Sequence, residues 1–146
     1  MQLSALFLVV SLTLGGDVTE AIRKDKASLQ GVWKVTSSVS KGEKSTPDEI
    51  KDLALLFRGD GIAVREGGQT HDNFSYLLDP TKKIKAIDLI LKAGPQKGRV
   101  DRGIYKLDGD TLTICIQSNK DEPRPNEFQS PAGSQLWLIV LQRSKE

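Results

Sequence analysis

The chain has one cysteine, one histidine and few aromatic rings, and each scarcity removes a class of answers. Cys115 has no second thiol for an intramolecular disulfide and no thiolate companions for a cysteine-based zinc site. No cysteine follows the apolar N-terminal run, so a lipid-modified cysteine there is excluded. A lone thiol of this kind reads as a small core or sheet residue rather than a nucleophile. His71, the sole imidazole, has Asp72 beside it but not the three protein ligands of a catalytic zinc, so it reads as a solvated hairpin residue. Aromatics make up 5% of 146 residues, so Trp33, Trp137, two tyrosines and four phenylalanines are each expected to hold a defined place in a core of Leu, Ile and Val.

Long apolar runs are also missing. Leu3 to Leu14 is uncharged and mostly apolar but spans only 12 residues, against the roughly 20 needed to cross a bilayer. Its length suits the apolar region of a secretory leader. The first 21 residues contain Asp17 and Glu20 and no Lys or Arg. Small Thr19 and Ala21 place a cut after Ala21, giving a leader over 1–21 and a mature domain over 22–146. A cut after Gly16 would set bulky Leu14 three residues before it, and a buried N-terminal strand or helix is the alternative to a leader. The expectation is an exported protein, periplasmic or secreted, with no membrane span after leader removal.

A strong charge bias is absent too. The net charge of +2 becomes +4 without the first 21 residues, and the bases are interleaved with acids along the chain. That excess favours solubility and lacks the clustered basic stripe of a nucleic-acid binder, so no nucleic acid is expected.

What the chain does have is period-two patterning. From Gly31 onward Trp33, Val35 and Val39 fall on one face and Lys34, Thr36 and Ser38 on the other, the signature of a half-buried strand. Before it, Ile22 to Gln30 predicts a short helix lying over one barrel end. Thr46-Pro47-Asp48-Glu49 predicts another, to about Asp52, with Thr46 as cap and Glu49 closing a capping box. Seven more short apolar segments follow: Leu53 to Arg58, Ile62 to Glu66, Asn73 to Leu78, Lys85 to Leu91, Gly103 to Leu107, Thr111 to Gln117 and Leu136 to Gln142. Gly- and Pro-bearing turns separate them, and no helix of ten residues lies between strands, so parallel α/β folds fail. Eight sequential antiparallel strands close into an up-and-down barrel, which removes exposed sheet edges, with a sandwich as the rival arrangement. The predicted class is all-β, a single barrel domain with one or two short helices.

Leu29-Gln30-Gly31-Val32-Trp33-Lys34-Val35, Leu78-Asp79-Pro80-Thr81-Lys82-Lys83, Ala86-Ile87-Asp88-Leu89, Gly103-Ile104-Tyr105 and Leu107 to Leu112 together resemble a family of lipocalin-like small domains, abundant as exported proteins in planctomycete bacteria. Arg124-Pro125, Glu127-Phe128 and Gly133-Ser134 belong to the same pattern. The resemblance spans about Leu29 to Arg143. It implies a lipocalin-like barrel and brings no reaction, cofactor or catalytic residue. It also implies structural roles for Gly31, Trp33 and Arg143: the Trp closes the barrel floor, and the Arg ending the last strand packs across its ring, a contact worth about 0.5 to 2 kcal/mol. The chain is shorter than full-length lipocalins and lacks their disulfides and long C-terminal helix.

Several local patterns have a simpler reading than the chemistry they mimic. Asp108-x-Asp110 starts like a calcium loop, but the chain continues as strand where further ligands should be, leaving a hairpin turn. Arg58-Gly59-Asp60 reads as a hairpin tip rather than an adhesion tripeptide. Asp88 is the most informative polar position. Facing inward it would need an Arg or a backbone donor; facing outward it shares a face with Ala86 and Ile90. Trp33, Phe57, Phe74, Tyr76 and Asp88 are the candidate barrel-lining residues, with Trp137 beside them. They line a pocket for a small apolar ligand, or fill the barrel so that the chain works as an interaction or structural module of the cell envelope. No catalytic residue, metal site or cofactor is expected, and no protein partner is specified.

Overall fold

The computed structural model describes residues 14–146. The apolar run read as a leader lies outside the described residues up to Thr13. Helix α1 (Leu14–Leu29) is longer than the predicted Ile22 to Gln30 and runs through Ala21. No described helix is long and apolar enough to cross a membrane.

The strands are β1 (Gly31–Ser40), β2 (Glu43–Lys44), β3 (Ala54–Arg58), β4 (Gly61–Glu66), β5 (Gln69–Asp79), β6 (Ala86–Leu91), β7 (Val100–Asp108), β8 (Thr111–Gln117) and β9 (Leu136–Arg143). Each is antiparallel to its neighbours in the order β1-β3-β4-β5-β6-β7-β8-β9, and β9 pairs back onto β1. Eight strands thus close the barrel. Two-residue β2 is a ribbon folded back on the end of β1. Between β2 and β3 sits α2 (Pro47–Ile50), with Thr46 as cap, Pro47 at the first position and the Glu49 capping box complete. Ile50 and Leu53 pack from this segment onto the core.

One phase error in the sequence reading has a clear cause. Pairing of β1 with β9 slips by one residue between Val35 and Ser37, leaving Thr36 as a bulge whose hydroxyl donates to Val140 O at 3.1 Å. Trp33 and Val35 face inward as expected, but beyond the bulge Ser38 opposes inward-facing Ile139 and Val39 is turned out. Buried Ser38 accepts a hydrogen bond from Trp137 Nε1 at 2.8 Å, so the polar residue inside is satisfied.

The interior is one contiguous cluster in which Trp33, Phe57, Tyr105, Leu112, Ile139 and Leu141 are at most 1% exposed. At the floor Trp33 Nε1–H donates to Leu29 O at 2.8 Å, which fastens α1 to the first strand. The Arg143 guanidinium lies 4.2 Å from the Trp33 ring centre and donates to Gln30 O and Ser28 O. Gly31, at φ +118°, makes the turn from helix to strand in a conformation a side chain would strain.

The segment 118–135 folds back over the outside of the barrel. Arg124 donates to Ile87 O at 3.1 Å and Gly103 O at 2.9 Å, and Arg102 reaches out to Lys120 O and Glu122 O. Cys115 faces outward beneath this strap, fully buried, its thiol donating to Gln129 O at 3.3 Å. On another outer flank Leu56, Ala54 and Ala63 form a small apolar cluster with Val32. The C-terminal residues run beside it, Ser144 N–H donating to Val32 O and Glu146 pairing with Arg65 and Lys34.

Candidate functional site

The residues expected to line a pocket separate once placed. Trp33, Phe57 and Tyr76 are buried in the interior cluster, with Phe57 and Tyr76 edge to face at 5.4 Å. Phe74 is partly buried at the edge of the same cluster, as is Trp137. Asp88 does not line the barrel. Ile87 and Leu89 on either side of it join the core, so alternation turns Asp88 outward. There its solvent-shielded Oδ1 lies 2.7 Å from Arg124 Nη2, an ion pair off hydrogen-bond alignment. Among the described residues, five surface clefts have walls that include none of Trp33, Phe57, Phe74 and Tyr76.

The floor carries a polar network that the sequence did not announce. Asp25 on α1 accepts from Tyr105 Oη at 2.7 Å and from Lys85 Nζ at 2.8 Å. Gln30 is held between Tyr76 Oη and the Gly59 backbone, receiving the Gly59 N–H at 2.7 Å, and Lys26 pairs with Asp60. Burial raises the Tyr105 pKa far above the ordinary phenol value, and the adjoining Asp25 carboxylate raises it further. Burial pushes Tyr76 the same way, opposed by the Gln30 amide. Burial also raises the Cys115 thiol. These groups are held neutral, the state in which they are least reactive. Among the described residues no three His, Cys, Asp or Glu side chains gather as a metal site.

The opposite end, the rim, is built differently. Strand β5 begins at Gln69, earlier than the predicted Asn73, because Gly67-Gly68, both at positive φ, form a two-residue hairpin that starts pairing at once. His71 is an exposed residue of this hairpin, as expected, and lies on β5 opposite Val64. Strand β6 covers β5 only from Phe74 to Asp79, so the opening stretch of β5 has β4 on one side and no strand on the other. Asn73 forms a bulge there, and its shielded Oδ1 has no donor among the described residues.

Two clefts meet across this stretch, sharing Thr70 and Asp72. One, of about 450 Å³, lies on the outer face among Arg58, Asp60, Gly61, Ala63, Ser75 and Lys92 as well as the shared pair. Small residues floor it. Its carboxylates are matched, Asp72 by Lys92 at 2.6 Å and Asp60 by Lys26, while Arg58 has no ion-pair partner among the described residues. The other, of about 420 Å³, lies between the β5 edge and the end of β6, lined by Thr70, His71, Asp72, Asn73, Leu91 and Ala93. The sequence reading began this strand at Asn73 and so left residues 69–72 out of it; the double glycine, which allows a two-residue hairpin, was the signal for the earlier start. No family model, curated protein or solved structure matches the chain.

Proposed function

We propose that this chain is an exported, non-enzymatic, lipocalin-like barrel with a filled interior, acting as an interaction module of the cell envelope through its outer surface and rim. The observation that carries the reading is the near-zero accessibility of the interior: a water-sized sphere finds almost no surface on Trp33, Phe57, Tyr105, Leu112, Ile139 or Leu141. A ligand pocket of the usual kind needs about 300 to 1,000 Å³ of concave space. Among the described residues, the clefts of about 450 and 420 Å³ at β5 lie outside the barrel.

Export is supported by the leader-like composition of residues 1–21 and by the position of the floor contacts. Bonds from Asp25, Lys26 and Leu29 that fasten α1 to the barrel lie beyond Ala21 and survive a cut there. Two measurements on protein purified gently from its own envelope or medium test the proposal. N-terminal sequencing is expected to read from Ile22. Native mass spectrometry is expected to give the bare mature mass; a co-purifying small molecule whose removal alters Trp33 fluorescence would overturn the filled-barrel reading in favour of a carrier of apolar ligands.

A further inference from the structure

We propose that the free edge of β5 at Thr70–Asp72 takes up an extended peptide strand from another protein, one carrying an acidic side chain on its outward-facing position. This deepens the interaction-module reading and rests on it.

The backbone supplies the first argument. Gly67-Gly68 makes a two-residue hairpin, so Glu66 and Gln69 form a hydrogen-bonded pair, and antiparallel alternation makes Arg65–Thr70 and Ala63–Asp72 the non-bonded pairs. The N–H and C=O groups of Thr70 and Asp72 therefore point away from β4, to the side where β6 is absent. Backbone groups left in this state are a template for another strand.

The clefts supply the second. Side chains of an added strand alternate between its two faces. Beside Thr70 and Asp72 one set would enter the outer cleft and the other the slot toward His71, Leu91 and Ala93, and the two clefts share those two residues. Charge then selects the outer set: Arg58 is the cation there without a carboxylate, and Lys92 stands at the same cleft. The edge itself selects the occupant: Thr70 and Asp72 offer outward backbone groups that β6 does not pair, and Leu91 and Ala93 line the other side of the slot. The edge of a second copy would arrive with its own flanking strands attached.

The test uses the mature protein and a panel of end-blocked heptapeptides alternating Val with Glu, Lys or Thr, read by fluorescence anisotropy and backbone NMR. Glu-bearing peptides are expected to bind, with slowed amide exchange at Thr70 and Asp72 and shifts confined to the residues of the two clefts. Lys-bearing peptides and Arg58→Glu should each bind about tenfold more weakly. N-methylating alternate peptide bonds of the probe, which leaves the protein untouched, should abolish binding. Thr70→Pro removes one outward N–H and should cost about tenfold in affinity with the melting temperature little changed. Absence of binding across the panel, equal affinity for N-methylated probes, or Thr70 protection arising from a dimer without peptide would each overturn the edge proposal. Shifts at Trp33 and Leu112 on adding an apolar dye would overturn the filled-barrel reading instead.

Discussion

Arg143 shows how much one side chain can hold. It stacks on Trp33, donates to two carbonyls at the end of α1 and lies 3.3 Å from Asp110 across the floor. Arg143→Ala should destabilise the fold by roughly 1 to 3 kcal/mol in urea denaturation. Arg143→Lys should recover only part of this, since an ammonium keeps the charge but not the planar stack and fork of donors. The pairing of Trp33 with Arg143 was implied by the lipocalin-like resemblance, and closure of the barrel brings the start of the first strand beside the end of the last. The setting of Tyr105 was not legible, since its partners Asp25 and Lys85 lie far away in sequence. Its phenol has a higher pKa folded than the unfolded value of about 10. The stabilisation from its neutral form is therefore whole below pH 10 and lost as pH climbs toward the folded value. The urea midpoint should fall above about pH 10, and fall less steeply in Tyr105→Phe, with Tyr76 supplying the remaining dependence. Equal slopes in the two proteins would contradict that assignment.

Among the elements, the strands were readable where a single period held and misread where a bulge broke it. Eight short segments, one alternating and seven apolar, and the turns between them were enough for the barrel. Thr36 carried no signal of its own: a bulge is set by how β1 meets β9, residues about a hundred positions apart. The consequence is testable, because Ser38 rather than Val39 is the inward residue. Ser38→Val leaves the Trp137 N–H without its acceptor and should cost about 1 to 3 kcal/mol, whereas Val39→Ser should cost distinctly less. A reversal of that order would mean that the bulge is misplaced. Helix α2 is the opposite case, written out locally in Thr46, Pro47 and Glu49 and found as written. Thr46→Ala should remove about 1 kcal/mol by uncapping it. The strap over 118–135 was marked by its prolines only as a loop. Its course over β6, β7 and β8 depends on where Arg124 finds carbonyls, which no local pattern encodes.

Across the whole molecule, stability is expected to be uneven. Amides of Leu112 to Ile116 and Ile139 to Leu141, enclosed by neighbouring strands, should exchange slowest, and those of Thr70 and Asp72 fastest along β5. Uniform exchange along β5 would contradict the open-edge description. The buried thiol under the strap gives this unevenness a clock. Cys115 cannot meet a reagent while Gln129 and its neighbours lie over it. Its alkylation rate therefore counts how often that segment lifts, and comparing it with the rate of global unfolding separates a detaching strap from an opening barrel. The chain thus carries a single-site reporter of its own breathing, usable without introducing any label position.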